Sequence, residues 1–184
     1  MNRLKQKYQK EVIPAMRQRF GYTNDLAVPK IEKVVLNVGI PSTRADEKFM
    51  KLVSQTLSRV SGQKPVFVKA KKSISSFKIR QGQIVGATLT LRKDRMYDFM
   101  DKLVNLTLPN VRDFRGLSKK SIDKSGNLTI GFKEYLVFPE INADEVENIH
   151  GLEVTIVTTA KDKQQAFILL SLLGLPFVEK PENN

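Results

Sequence analysis

The sequence predicts an α+β protein, with one mainly antiparallel sheet that carries helices on one face and leaves the other face open and polar. Apolar residues recur at helical spacing in four stretches and alternate with polar residues in shorter ones. Helices and strands are interspersed, and the strands are too few for a barrel. Hydrophobic residues make up 41% of the 184 residues, so residues 1–184 are predicted to form a single domain, with a short frayed tail at 181–184.

The N-terminal half is predicted to hold two helices and three strands. Residues 2–20 form the first helix, which Pro14 kinks or restarts because proline lacks a backbone donor. The second helix covers 43–60, with Ser42 or Thr43 as its N-cap. Strands are predicted at 31–38, 66–68 and 84–92.

The C-terminal half is predicted to hold two more helices. One begins at an Asp94 cap and runs to about residue 107; the other begins at Asp162 and ends at Gly174. Strands are predicted at 128–132 and 152–159. Two connections, 69–83 and 109–127, are long for a compact domain. Connections of that length are usually functional, so both are candidates for binding.

Charge is the clearest indication of function in the composition. The chain has 31 Lys and Arg against 19 Asp and Glu, a formal net charge of +12. Residues 1–20 hold six bases and one acid (+5), and residues 59–95 hold ten bases and one acid (+9), whereas residues 134–153 hold six acids and no Lys or Arg (−6). Such a surplus indicates a polyanionic partner, with nucleic acid first. The alternative is that the charge runs are merely solvated faces.

The composition also excludes several classes of protein. The absence of cysteine excludes disulfide scaffolds, thiolate metal sites and thiol nucleophiles, and fits a reducing, cytoplasmic setting. The longest apolar stretch, 167–178, is too short for a membrane span and is interrupted by Ser171, Gly174 and Pro176. No glycine-rich phosphate-binding motif is present. We therefore expect no membrane partner, no metal and no cofactor.

The first long connection, 69–83, is predicted to bind a phosphate backbone. It joins five cations with serine and glutamine side chains and contains no acid. Phe77 or Ile79 is available to anchor the loop or to stack on a base. We expect the loop to be unpaired and mobile until its partner orders it. The alternative is an ordinary solvated hairpin with Phe77 and Ile79 packed inward.

The predicted strands indicate a second surface. In 84–92, one face is apolar and the other is small and polar. If similar faces of the other strands are contiguous with it, a nucleic acid backbone can approach the sheet closely; the alternative is a solvated antiparallel face. Paired exposed aromatics are missing, so shape and backbone readout would dominate. The residues concerned are Gly86, Thr88, Thr90, Arg92, Asn37, Thr155 and Thr159.

Catalytic interpretations are weaker. His150, the only histidine, stands beside Gly151 and is predicted to be a turn or surface residue. An acidic cluster could hold magnesium, although such clusters are more often solvated or protein-binding. Its members are Glu140, Asp144, Glu145 and Glu147.

Four stretches in register carry a resemblance that covers essentially the whole chain. They are 57–73 (LSRVSGQKPVFVKAKKS), 77–82 (FKIRQG) followed by 90–92 (TLR), 112–117 (RDFRGL), and 138–141 (FPEI) with 151–156 (GLEVTI). In these stretches the chain resembles the bacterial type of the large-subunit ribosomal protein five family. That family binds 5S rRNA in the central protuberance.

The resemblance implies a non-enzymatic constituent of the large ribosomal subunit that is a monomer within the ribosome. It implies binding to 5S rRNA and to 23S rRNA, contact with the peptidyl-site tRNA, and a bridge to a small-subunit head protein. The implied 5S rRNA residues are Asn37, Gln63, Lys64, Thr88, Thr90 and Arg92. The implied tRNA-contacting residues are Lys71, Lys72, Ser73, Lys78, Arg80 and Gln81. The implied bridge residues are Arg112, Asp113, Phe114, Arg115, Glu140, Asp144 and Glu145.

Three positions depart from the pattern that the resemblance implies. Val68 stands where the family more usually has a hydroxyl residue, and Tyr135 where it more usually has Gln or His. His150 stands where the family often has Arg, so any contact which that Arg makes to phosphate is weakened at neutral pH.

Two other functions remain open at this point. One is an RNA-processing enzyme in which the acids around Glu140 and Asp144 hold a metal and the basic loop grips the substrate. The other is a free-standing RNA or DNA chaperone, which predicts little preference among folded RNAs of equal length.

Overall fold

A computed structural model of the chain describes residues 2–44, 46–142 and 148–178. These residues form five α-helices, five strands and several short turns. The helices are α1 (Arg3–Lys7), α2 (Ile13–Phe20), α3 (Glu47–Ser61), α4 (Lys93–Lys102) and α5 (Lys163–Leu173). The strands are β1 (Ile31–Gly39), β2 (Val66–Lys69), β3 (Ile84–Leu91), β4 (Leu128–Phe132) and β5 (Leu152–Thr158). Each predicted strand is present, within one residue at either end.

The five strands form one open antiparallel sheet in the order β2-β3-β1-β5-β4. Strand β2 is an edge strand, and it pairs with β3 so that Val66 lies opposite Thr88 and Val68 opposite Gly86. The register shifts between Val68 and Lys69. The prediction of an α+β fold with an antiparallel sheet is therefore confirmed.

The chain forms two compact units. The first consists of residues 1–34, 92–130 and 155–184, and the second of residues 35–91 and 131–154. Strands β2 and β3 belong to the second unit, whereas β1, β4 and β5 contribute residues to both.

The first unit carries the N-terminal helical segment. A π-helical turn, Tyr8–Val12, separates α1 from α2, and Pro14 lies in the first turn of α2. Proline is tolerated there because the first backbone N–H groups of a helix need no intrahelical acceptor. The prediction that Pro14 kinks or restarts the first helix stays a prediction, since Val12 and Ile13 before it are already helical. The Tyr8 hydroxyl donates to the carbonyl oxygen of Pro29 at 3.1 Å, and its burial, assisted by Tyr97, raises the pKa of Tyr8 to about 12.

The second unit places α3 against β3. The apolar stripe of α3 is buried, at Phe49, Val53, Leu57 and Val60. Strand β3 buries Ala87, Leu89 and Leu91 and leaves Thr88 and Thr90 half-buried. Within this unit, therefore, the sheet has a covered apolar face and a more open polar face, as the alternation in 84–92 predicts.

Two predicted helix caps are wrong. Helix α3 begins four residues after Thr43, with Asp46 in an extended conformation at its N-cap, and Ser42–Arg44 form a 3₁₀ turn instead. Helix α4 has Arg92 at its N-cap, and the Asp94 carboxylate instead binds Lys5 Nζ at 3.1 Å. Each polar side chain has a partner elsewhere: the Ser42 hydroxyl donates to the Phe77 carbonyl oxygen at 3.2 Å.

The cap of α5 is as predicted. The Asp162 carboxylate accepts from the Gln165 backbone N–H at 2.8 Å, and the helix ends at Gly174 with a φ of 105°. Only glycine adopts that left-handed conformation without strain.

Candidate nucleic-acid interface

The open face of the second unit is held by hydrogen bonds between side chains and backbone. The Gln63 amide nitrogen donates to the Thr90 carbonyl oxygen at 3.3 Å, which ties the turn after α3 to β3. The Thr88 hydroxyl donates to the Leu36 carbonyl oxygen at 3.0 Å, which ties β3 to β1. These contacts fix the side chains before any partner binds, so the face is preorganised.

Gly86 allows β3 to approach β1 closely. A Cβ atom built on Gly86 would lie 2.9 Å from the Val38 carbonyl oxygen, which is closer than real Cβ contacts come. The glycine is therefore required at this position by the spacing of the two strands.

Two valines that the sequence analysis did not assign also lie on this face. Paired residues of neighbouring strands project to the same side, so Val66 lies beside Thr88, and Val68 beside Gly86. Val66 is 66% exposed and Val68 is 41% exposed. The open face therefore combines hydroxyl and amide groups with an apolar strip. The register that places Val66 and Val68 here depends on β2 pairing with β3, which no local pattern contains.

Asn37, predicted as a polar tip of the first strand, is held by a residue that the predicted site omitted. Its Nδ2 atom donates to Glu153 Oε2 on β5 at 3.2 Å. Glu153 is exposed, and no Lys or Arg of the described residues pairs with it. Glu153 was counted in the sequence only as part of an acidic run, and the strand order is what brings it beside Asn37.

The two cations of the predicted 5S rRNA set differ in their surroundings. Lys64 is exposed in the second unit, in the turn that holds Gln63. Arg92 is exposed in the first unit, where its guanidinium lies 3.5 Å from a Glu32 carboxylate oxygen. The second unit thus brings together five members of the set: Asn37, Gln63, Lys64, Thr88 and Thr90.

Thr155 and Thr159, which were predicted to lie on the polar face of the sheet, belong to the first unit. The hydroxyl of Thr155 lies 3.2 Å from that of Thr129 on β4. Thr159 follows β5, where its backbone N–H donates to the Lys30 carbonyl oxygen at 2.9 Å, and its hydroxyl accepts from the Lys30 backbone N–H at 3.0 Å. Both hydroxyls therefore have partners within the protein.

The segment 69–83, which we call the basic hairpin, is paired along its length. Ile74 and Ile79 exchange backbone hydrogen bonds at 2.9 and 3.1 Å, and Ala70 N–H donates to the Gln83 carbonyl oxygen at 2.8 Å. The Ser73 hydroxyl accepts from the Gln81 backbone N–H at 2.9 Å. The prediction of an unpaired loop is therefore wrong, because these bonds satisfy its backbone without a partner.

The basic hairpin presents its charges to solvent. Its five cations are all exposed, and none pairs with a carboxylate of the described residues. Phe77 is 67% exposed beside Lys78, whose φ of 53° is left-handed. The alternative in which Phe77 packs inward is thus wrong, although Ile79 is half-buried. Unpaired cations around an exposed ring suit a phosphate backbone with an adjacent base. The cations are Lys69, Lys71, Lys72, Lys78 and Arg80.

The predicted bridge residues fall in both units and beyond the described residues. Arg112, Asp113 and Arg115 are exposed in the first unit. Phe114 between them is half-buried. Glu140 is half-buried in the second unit. Asp144 and Glu145 lie outside the described residues.

His150 is buried, contrary to the prediction of a surface position. Its ring stacks on Tyr135 with centroids 4.2 Å apart and meets Phe49 edge-on at 6.1 Å. Nδ1 lies 3.1 Å from the Gly151 carbonyl oxygen, which can only accept, so Nδ1 carries the proton. Burial lowers the pKa of His150, and the bond to Gly151 opposes this only in part. The aromatic neighbours, which lie far away in sequence, are what bury it.

The described residues contain no group of three or more side chains suited to hold a metal ion. Nor does any helix among them have the length and apolar character needed to cross a membrane.

Comparison with protein families identifies two matching models. Residues 24–80 match the model described as ribosomal protein L5, and residues 84–177 match the model of the C-terminus of the same ribosomal family. The first match contains β1, α3, β2 and most of the basic hairpin, and the second contains β3 to α5. The last three residues of the basic hairpin, 81–83, lie between the two matches.

Curated relatives match over nearly the whole chain. "Large ribosomal subunit protein uL5" of Caldanaerobacter subterraneus subsp. tengcongensis is 50% identical over 97% of this chain and 100% of its own length. The protein of the same name from Carboxydothermus hydrogenoformans is 52% identical over 96% of this chain and 99% of its own. That of Streptococcus equi subsp. zooepidemicus is 51% identical over 97% of this chain and 99% of its own.

Proposed function

Because the chain belongs to the ribosomal protein L5 family, we propose that it binds 5S rRNA through the open face of its second unit. Its relatives carry the name of a large ribosomal subunit protein, and the chain is a structural constituent of that subunit and not an enzyme. One observation carries the proposal: Gln63, Thr88 and Asn37 are already fixed by hydrogen bonds on a partly exposed face beside Lys64. Such an array suits a folded RNA of defined shape.

The groups on this face are suited to different parts of the RNA. Lys64 supplies charge for phosphates on this face, which gives affinity but little selectivity. Arg92 belongs to the first unit and is proposed as a phosphate contact there. The threonine and amide groups make directional contacts, and the exposed valines, Val66 and Val68, pack against ribose or base. Val68 takes a position where a hydroxyl group is more usual, so here it adds apolar contact and not a hydrogen bond.

The basic hairpin is proposed to contact the peptidyl-site tRNA. Its supporting features are the exposed cations and Phe77, carried on a paired backbone in the second unit. The hairpin has no acidic side chain, so nothing in it repels a phosphate backbone. The tRNA-contacting set is proposed to be Lys71, Lys72, Ser73, Lys78, Arg80 and Gln81, with the Ser73 hydroxyl also holding the hairpin together.

A bridge to a basic small-subunit head protein is proposed for the acidic stretch of the chain. Residues 134–147 carry five acids and no Lys or Arg, which favours a basic protein over RNA as their partner. Glu140, Asp144 and Glu145 are the proposed acidic contacts, and Arg112 to Arg115 the proposed mixed-charge contacts. Contact with 23S rRNA is proposed for the remaining basic surface.

A gel-shift titration tests the proposal. The purified chain is titrated against 5S rRNA, a tRNA and a length-matched duplex RNA, each at a low and a high salt concentration. We expect 5S rRNA binding to persist at the higher salt while duplex binding falls away, because only the former has directional contacts in addition to released counterions. Equal, salt-labile binding to all three RNAs would favour a non-specific chaperone instead.

A further inference from the structure

We propose that Glu153 is a positioning residue that fixes the Asn37 carboxamide, so that Asn37 Oδ1 accepts a hydrogen bond from a base N–H or a ribose 2′-hydroxyl of the bound RNA. The inference rests on the proposed binding of 5S rRNA and deepens it, because it names the kind of group that one point of the face recognises.

The orientation of Asn37 follows from the hydrogen bond to Glu153. The distance from Asn37 Nδ2 to Glu153 Oε2 is 3.2 Å. An ionised carboxylate accepts hydrogen bonds and never donates, so the end of the carboxamide that faces Glu153 must be the NH₂ group. A free asparagine can rotate and offer either end to a ligand. In this chain Glu153 holds one of the two amide N–H groups, and this orientation leaves Oδ1 as the acceptor for a partner.

The space around Asn37 Oδ1 suits an incoming donor. Gly86 on β3 lies beside it, and a Cβ atom built there would lie 3.9 Å from Asn37 Oδ1. Since Gly86 has no side chain, nothing extends from it past this oxygen. Asn37 is half-buried, so a donor reaching Oδ1 is partly removed from water, which strengthens the hydrogen bond.

The charge of Glu153 disfavours phosphate as the group recognised at Asn37 Oδ1. Glu153 is exposed, and no cation of the described residues pairs with it. A carboxylate repels phosphate, and a phosphate diester offers only acceptors to the acceptor Asn37 Oδ1. The donors of an RNA are base amino and imino groups and ribose 2′-hydroxyls. Most of the surface of this +12 protein attracts phosphates. The carboxylate of Glu153 therefore suits a position, at Asn37 Oδ1, that selects hydrogen-bond donors of the RNA.

The variant Glu153→Gln tests this role, with Glu134→Gln as its matched control. Glutamine keeps the shape of Glu153 but both donates and accepts, so it no longer dictates the orientation of Asn37. Glu134 is exposed in the same unit and its replacement changes the charge equally. We expect E153Q to weaken 5S rRNA binding about tenfold, the size of one directional contact, without changing the salt slope. E134Q should stay within about twofold of the parent protein.

A double-mutant cycle shows whether Glu153 acts through Asn37. We expect Asn37→Ala to weaken binding about as much as E153Q, and the pair together to cost no more than either alone. Additive losses in the double variant would overturn the proposal. It would also be overturned if E153Q bound both 5S rRNA and duplex RNA more tightly than the parent protein does, because Glu153 would then only repel phosphate. The free protein gives a readout without RNA: E153Q should shift the NMR signals of the Asn37 side-chain NH₂ group, and unchanged signals would contradict the proposal.

Modified RNA distinguishes the two donors. Four 5S rRNA transcripts are prepared, and in each of them one nucleotide type (A, C, G or U) carries 2′-deoxyribose throughout. If the donor is a 2′-hydroxyl, the parent protein should bind one of these transcripts about as weakly as E153Q binds unmodified 5S rRNA, and E153Q should bind that transcript no more weakly still. If the parent protein binds all four transcripts normally, the donor is a base N–H. If the parent protein shows no preference for 5S rRNA over duplex RNA, both the proposed function and this inference are wrong. If the parent protein prefers 5S rRNA and E153Q shows the same preference, only this inference is wrong.

Discussion

The His150 ring shows how one buried side chain links stability to pH. It lies between Tyr135 and Phe49, and its Nε2 atom is buried without a hydrogen-bond partner. A proton added to Nε2 would bring a positive charge into this apolar contact without an acceptor. The folded chain therefore favours the neutral ring.

We expect the chain to lose stability as the pH falls below the ordinary histidine pKa. The pKa of His150 is lowered in the folded state, so the unfolded chain binds the extra proton first. The stabilisation from His150 is complete above about pH 6.5 and is lost as the pH falls toward the lower folded-state pKa. Thermal melting between about pH 7.5 and pH 5.5 should show a falling Tm.

The control is His150→Phe, which keeps an aromatic ring against Tyr135 and removes the titration. His150 is the only histidine of the chain, so the variant should melt with a nearly constant Tm over the same pH interval. A parent protein with a flat profile would contradict the assignment.

Gly86→Ala tests the close approach of β3 to β1. The added methyl group would lie 2.9 Å from the Val38 carbonyl oxygen, so the strands must shift. We expect a loss of about 1–3 kcal/mol in the free energy of unfolding, measured by urea denaturation. Gly39→Ala is the matched control, because nothing lies within 4 Å of its Cβ position, and it should change stability by no more than about 0.5 kcal/mol. Equal losses in both variants would show that the contact does not matter.

Individual site residues were predictable where the pattern is local. The alternation of 84–92 placed Thr88 and Thr90 on the open face, and the structure has them there. Glu153 and Val66 were not found, because their places depend on which strands pair and in what register. Burial of His150 was missed because its neighbours Tyr135 and Phe49 come from other segments of the chain.

Among the elements, the basic hairpin is the one whose order bears most directly on the proposed contact with tRNA. Its backbone pairs with itself, so the proposed binding would not require a loop to fold, and the cations are carried on a formed scaffold. We expect Lys72→Ala with Arg80→Ala to weaken tRNA binding and to reduce the salt slope by about 1.4 to 1.8, the value for two phosphate contacts. Affinity for 5S rRNA should stay within about twofold.

Gel shifts over a salt series check this division of the surface. The control is Lys161→Ala with Lys163→Ala, which removes two exposed lysines outside the basic hairpin. A large loss of 5S rRNA binding in the hairpin variant would mean that the hairpin belongs to the 5S rRNA site.

Helix ends were predictable where a capping side chain has no competing partner. Asp162 caps α5 as expected, whereas Asp94 binds Lys5 and Ser42 binds the Phe77 carbonyl group. The π-helical turns Tyr8–Val12 and Leu103–Thr107 were not foreseen, because apolar spacings of three and four do not distinguish a π turn from α-helix.

At the scale of the whole molecule, the net charge of +12 favours RNA binding that weakens as salt rises. If the chain makes about six phosphate contacts, a plot of log K against log salt for 5S rRNA should have a slope of roughly −4 to −5. Titrations at four or more salt concentrations measure it. A slope near zero would mean that uncharged contacts carry the affinity.

The single domain predicted from length and composition remains a prediction. Since β1, β4 and β5 each contribute residues to both compact units, we expect the units to unfold together. Calorimetry should show one transition whose calorimetric and van't Hoff enthalpies agree. Two separated transitions would mean independent domains.

The position of β2 at the edge of the sheet has a consequence for the chain before it meets RNA. Its outer backbone groups are unpaired within the sheet, and Val66 and Val68 are exposed. An apolar edge invites strand addition by other copies and hence aggregation. The strand is only four residues long, its register breaks after Val68, and it ends in a lysine, all features that limit such growth. We therefore expect chains without RNA to aggregate only at high concentration, and supplying the RNA during expression should raise the soluble yield.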